Sequence, residues 1–214
     1  IAAAVNKGFK KIIVALGGTA ISDGGAGALA ALGAAAFDED GNLCRYLENG
    51  AKDLNQISKI DLSAVENLLS EVSIEVLTDV DNPLLGARGT AKVFSQQKGA
   101  SEKEVEIIER NLSHFAELLG KRTDGKNAAV ALGAGAAGGL GFSLIRIGAS
   151  RSAGIERVIG ILGLKQAIEN SDLVIVDENL QVVDNTLFKI LEIILTDKKY
   201  KIEPHNIIKL FNNL

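Results

Sequence analysis

Apolar and polar positions along the chain fall into short blocks whose period changes several times. Lys10-Lys-Ile-Ile-Val-Ala-Leu16 is an unbroken apolar run behind two lysines, the pattern of a buried strand. Ile1 to Phe9 before it reads as the tail of a helix, and Ala26 to Ala36 after it reads as a second helix. Phe37-Asp-Glu-Asp-Gly-Asn42 is an acidic turn of the kind that closes a hairpin. From Leu43 to Ser70 the chain is polar and loop-rich, with a short helix predicted over Ser63–Leu69. Ser73-Ile-Glu-Val-Leu77 alternates like a strand. A helix is expected over Thr90–Gln97. Ser101 with Glu104 three residues on forms a capping box that opens an amphipathic helix to Leu119.

Beyond a charged loop at Lys121–Asn127, the segment best suited to disorder, helices are predicted near Ala136–Ile147 and Ile155–Ile168. Ser171-Asp-Leu-Val-Ile-Val176 reads as a buried strand, and Thr186–Leu214 as two helices parted near Pro204. Strands alternating with helices predict an α/β fold, a layered sheet with flanking helices.

Composition narrows the function. The chain has 214 residues and a formal charge of -4, which argues against an electrostatic nucleic-acid footprint. No apolar run is long and unbroken enough to cross a bilayer, since Ala128–Ile147 is interrupted by glycines and an arginine. A single cysteine, Cys44, forms no disulfide framework, and His114 and His205 lie too far apart in sequence to suggest a metal site. The expectation is a soluble cytoplasmic protein. The mean hydropathy of +0.19 is high for such a chain and points to apolar surface covered by missing segments or by a partner. The absence of methionine and the start at Ile1 suggest a piece of something longer.

The chemistry concentrates in glycine-dense stretches. Gly17-Gly-Thr-Ala-Ile-Ser-Asp-Gly-Gly25 joins a strand to a helix, where free backbone N–H groups and the positive end of a helix favour an anion. Thr19 and Ser22 add hydroxyl donors, and Asp23 adds a carboxylate able to act as a base or reach a metal. The competing account is a tight connection with Ser22 or Asp23 as helix cap, which leaves Gly17-Gly18 unexplained. Asp79, Asp81 and Asn82 follow a strand's carboxyl end, where open α/β sheets bind ligands. They suit oxygen ligation of Mg²⁺, or equally an Asx-turn ahead of Pro83. Lys98-Gly99 ends a helix, and the lysine there either neutralises phosphate or complements the helix dipole. Gly133-Ala-Gly-Ala-Ala-Gly138 matches the dinucleotide fingerprint in letters alone. No strand ending in an acid follows at the required distance, so close packing of backbone explains it equally well. Glu178 stands at the end of the last predicted strand, and His114 reads as a packing or surface residue.

Taken in order and spacing, Gly17–Gly25, Asp79-Val-Asp-Asn-Pro-Leu-Leu-Gly86, Gln97-Lys-Gly99, Gly133–Gly141 and Asp172-Leu-Val-Ile-Val-Asp-Glu178 resemble the bacterial glycerate kinase family over residues 1–180. The resemblance implies two interleaved α/β domains: residues 1–36 as a strand-loop-helix part of the first, 37–130 as the inserted second, and 131–214 as glycine-rich helices, a strand and a helical tail. It implies transfer of the γ-phosphoryl of ATP to D-glycerate with Mg²⁺ as cofactor. Asp23 is then the group that activates the attacking hydroxyl, and Asp79 meets Mg²⁺ or substrate hydroxyls. The remaining site set is Gly17, Gly18, Thr19, Ser22, Gly24, Gly25, Asn82, Lys98, Gly133, Gly135, Gly138, Gly139 and Glu178.

Departures are visible too. Serine stands at Ser22 where the family usually has asparagine. Val176-Asp-Glu-Asn179 replaces a glycine-flanked turn, and Leu187–Leu214 has no counterpart. A second expectation, from another class, is therefore a non-catalytic α/β module or pseudoenzyme that binds a small anion or mediates dimerisation. Homo-oligomerisation is left open by either.

Overall fold

The structure, a computed structural model, describes residues 1–122, 124–163, 166 and 170. They belong to two units, Ile1–Ala153 and Gly154–Leu214. In the first unit, three parallel strands, β1 (Lys11–Ala15), β5 (Ser73–Leu77) and β6 (Ser150–Ser152), form one sheet in the order β1-β5-β6. A second, antiparallel sheet is made of β2 (Ala35–Phe37), β3 (Leu43–Cys44) and β4 (Lys59–Asp61), in the order β3-β2-β4. Its hairpin turns through the acidic residues, with the Asp38 amide donating to Asn42 O. The helices are α1 (Ala2–Asn6), α2 (Ala26–Ala31), α3 (Ser63–Leu69), α4 (Thr90–Phe94), α5 (Glu102–Leu119) and α6 (Leu140–Arg146). The fold is mixed α/β with a parallel sheet flanked by helices. In the second unit, α7 spans Gly154–Leu162. The predicted strand 171–176, the tail 186–214 and the end of the expected helix 155–168 lie outside the described residues.

The core gathers on α5, whose apolar stripe buries Val105, Leu112, Phe115 and Leu119. Phe115 meets Phe142 of α6 edge to face, ring centroids 6.0 Å apart, and Leu29 of α2 is fully buried in the same cluster. Each such side chain contributes about 1.5–3 kcal/mol on burial. Polar groups on α5 serve packing. Asn111 Nδ2 donates to Ala51 O and Lys52 O, and His114 Nε2 donates to Ile57 O at 2.7 Å. His114 is thus a packing residue. The capping box is present, with Ser101 Oγ accepting from the Glu104 amide and Glu104 Oε2 from the Ser101 amide. Ser101→Ala is expected to cost about 1 kcal/mol, seen as a lower urea midpoint at unchanged slope. An unchanged midpoint would leave Glu104 as the only cap that counts.

Three expectations are corrected. The strand over 11–16 is not buried: among the described residues β1 lies at a sheet edge, and Lys11, Ile13 and Ala15 on one of its faces are exposed. The helix expected over 26–36 stops at Ala31, because Gly33 takes a left-handed φ of +105° and returns the chain to β2. The helix expected from Ala136 begins only at Leu140. Ala137, Gly138 and Gly139 are left-handed at φ 52°, 70° and 91°, which no right-handed helix can contain.

Candidate active site

Adjacent parallel strands place their following loops side by side. Because β5 pairs with β1, the loop 17–25 after β1 neighbours the segment 78–86 after β5, and the Leu16 amide donates to Leu77 O where they part. This is the carboxyl edge of the sheet, where α/β proteins gather ligands. Segment 133–141 then joins the two. Gly24 N donates to Gly138 O at 3.0 Å, and Gly135 N donates to Asn82 O at 2.8 Å. Thr90 Oγ1 donates to Gly135 O, and Ser143 Oγ to Gly24 O. Three motifs far apart in sequence therefore meet.

The glycines divide into two kinds. A Cβ at Gly17 or Gly18 would meet nothing within 4 Å, so the backbone of the first loop lies open. A Cβ at Gly138 would stand 2.0 Å from Ile21 O, at Gly139 2.7 Å from Gly24 Cα, at Gly135 2.5 Å from Pro83 O, and at Gly25 2.7 Å from Ser143 Cβ. At Gly24 it would press on Leu112 and Phe115, and at Gly133 on Thr78 Cγ2. These six have their side-chain directions filled by protein, which is the packing account of the glycine-rich run. Ala137 keeps a left-handed conformation at this junction, at a cost of about 1–2 kcal/mol.

Asp23 is buried, and its two oxygens are both engaged: Oδ1 accepts from the Gly25 amide at 2.9 Å and Oδ2 from the Gly27 amide at 3.1 Å. It accepts amides at the start of α2, and its charge acts on Lys98. Lys98 Nζ donates to Ile21 O at 2.5 Å, tying the end of the short turn 96–98 to the first loop. Partial burial pushes its ammonium below the usual lysine range, and the charge of Asp23 opposes that shift. Ser95 Oγ donates to Ser22 Oγ at 3.2 Å, so Ser22 belongs to the same junction.

In the second loop Asn82 Nδ2 donates to Arg88 O, and the Val80 amide donates to Thr78 Oγ1. Asp79 is exposed. Asp81 is held by Arg151 Nη2 at 2.6 Å, and Glu109 Oε1 accepts from the Gly86 amide. Among the described residues, four buried side-chain polar atoms have no hydrogen-bond partner. Three of them, Thr19 Oγ1, Glu109 Oε2 and Arg151 Nε, belong to residues in or touching these loops. Native interiors leave few such groups.

Arg151, Ser95, Thr90 and Glu109 escape a reading of the sequence. Each acts across a long separation, and β6, which carries Arg151, is three polar residues long. Glu178 lies outside the described residues. The dinucleotide fingerprint fails structurally as well: a short 3-10 turn at Ala128–Val130, not a strand, precedes it.

Residues 1–181 match the model of the glycerate kinase family. Among relatives, a glycerate kinase of Bacillus subtilis (strain 168) is 38% identical over 179 residues, covering 83% of this chain and 46% of its own length. A glycerate 2-kinase of Escherichia coli (strain K12) is 41% identical over 178 residues, covering 82% and 45%. A crystal structure from Salmonella typhimurium LT2, provisionally assigned as glycerate kinase 2, superposes with a TM-score of 0.71 at 38% identity, covering 80% of this chain and 46% of that one. The chain thus spans about half the length of the curated relatives it matches.

Proposed function

The chain belongs to the glycerate kinase family, and on that footing we propose that it serves transfer of the γ-phosphoryl group of ATP to D-glycerate. The supporting observation is the convergence of loops 17–25, 78–86 and 133–141 at the carboxyl edge of a parallel sheet, with Lys98 and Arg151 beside them. Phosphoryl transfer asks mainly for positioning and charge neutralisation. The open backbone of Gly17-Gly18, with Thr19 and Ser22, offers donors to an anionic group of substrate. Lys98 supplies positive charge next to it and fixes the loop through Ile21 O. Asp23 orders the same loop from within, and is our choice for the group that orients and deprotonates the attacking hydroxyl. Asn82 and Asp79 belong to the second loop, and segment 133–139 joins the two loops.

The donor set fits a magnesium ion held chiefly by phosphate and water. No group of three His, Cys, Asp or Glu suited to a metal occurs among the described residues, and Asp81 and Asp79 both already engage other groups of the protein. Asp79 would supply the one carboxylate, and the ion when bound would neutralise phosphate charge. Among the described residues no helix is long and apolar enough to cross a membrane. A cytoplasmic location and the interleaving of residues 37–130 belong to the same proposal.

The test is glycerate-dependent ADP formation with Mg·ATP, measured for this chain and for the full-length gene product. Release of ADP that requires glycerate is expected from the full-length product. No such release from either would favour the non-catalytic module, the reading to which the departure in sequence at Val176-Asp-Glu-Asn179 points.

A further inference from the structure

The geometry points to Arg151 as the residue that grips an anionic oxygen group of the substrate, with Asp81 as its exchangeable resting partner; this rests on the phosphotransferase reading above. Arg151 leaves β6 opposite Val76 and lays its guanidinium over the end of β5, where Nη2 donates to Asp81 Oδ1 at 2.6 Å and Thr78 O at 3.3 Å. Gly133 lies alongside, where a Cβ would press on Thr78 Cγ2 at 2.9 Å and touch Nε at 3.4 Å.

Stability does not account for the pairing. The side chains are 25% and 57% exposed, and ion pairs this open to water contribute about 0–1 kcal/mol. Meanwhile Nε is buried with no acceptor, which alone costs about 1–3 kcal/mol. The resting arrangement is therefore an incomplete one for a fork of five donors. What would complete it is a planar or tetrahedral oxyanion taking the guanidinium from Asp81, the geometry in which arginine exceeds lysine. Two groups of the proposed reaction have that chemistry, the carboxylate of glycerate and a phosphoryl group of ATP.

The experiment is calorimetric binding of D-glycerate, ATP and inorganic phosphate to the full-length gene product as wild type, R151K, R151Q and D81N, with melting temperatures recorded alongside. R151Q is expected to weaken one ligand class ten- to hundredfold. R151K should recover only part of that loss, and D81N should leave the affinity equal or tighter. Loss confined to glycerate assigns the carboxylate; loss shared by ATP and phosphate assigns the phosphoryl group. A merely structural bridge predicts instead that R151Q and D81N weaken binding alike and melt early together. That outcome overturns the inference, as does unchanged affinity in R151Q and R151K, or a wild type that binds none of the three. Should wild type bind but release no ADP with glycerate, the kinase reading fails and the Arg151 assignment stands.

Discussion

Gly138→Ala is expected to lower stability by about 3–5 kcal/mol, a large part of the 5–15 kcal/mol that holds an ordinary domain together. The added Cβ would sit 2.0 Å from Ile21 O, 2.7 Å from Ile21 C and 3.2 Å from Ser22 Cα. Those neighbours are backbone, so no rotamer change relieves the clash; the loop 17–25 would have to move. Its movement would break the bond from Gly24 N to Gly138 O. The left-handed φ of 70° adds about 1–2 kcal/mol for any residue with a Cβ, and overpacking adds about 1–3 kcal/mol more. Gly17→Ala is the control. It has open space around it and no left-handed φ, so its stability should stay within about 0.5 kcal/mol of wild type. Urea unfolding of the two variants decides the matter. A Gly138→Ala protein with the wild-type midpoint would mean that segment 133–141 does not bear on the first loop.

That contrast shows what a sequence does and does not disclose. Glycine content announced a junction, yet Gly17 and Gly138 carry the same letter and do opposite things; only the neighbour's position separates open backbone from filled space. Local signals were legible where the physics is local. Ser101 with Glu104 set the start of α5, alternation set β5, and α3 emerged with the predicted bounds. Alanine propensity misled at 32–36, where Gly33 and pairing with β3 and β4 outweigh it. The edge position of β1 was invisible, because an apolar run looks the same at the centre of a sheet as at its rim. Of the site, the loops were readable and their cross-links were not. Lys98 reaches Ile21 over 77 residues, Arg151 reaches Asp81 over 70, and neither leaves a trace in spacing.

Asp23 carries the largest expected effect on turnover, and two substitutions separate its two duties. Asp23→Ala removes both acceptors and leaves the buried Gly25 amide without one. The lost cap and the orphaned donor together should cost about 2–4 kcal/mol. Asp23→Asn keeps a capping oxygen for Gly25 N, asparagine being a good helix cap, so the loss in stability should stay near 1–2 kcal/mol. What asparagine cannot do is accept a proton or balance Lys98. If Asp23 orients and deprotonates the attacking hydroxyl, kcat for glycerate phosphorylation should fall by about 10²–10⁴ with KM changed far less. Both numbers must be taken per folded molecule, with the folded fraction read from the unfolding curve at the assay temperature. A variant that keeps its kcat once so corrected, or whose KM rises while kcat holds, removes Asp23 from the chemistry. It would then remain as the cap that shapes the loop. Each oxygen of Asp23 accepts one amide bond and keeps a second lone pair, and the charge of Asp23 acts on Lys98.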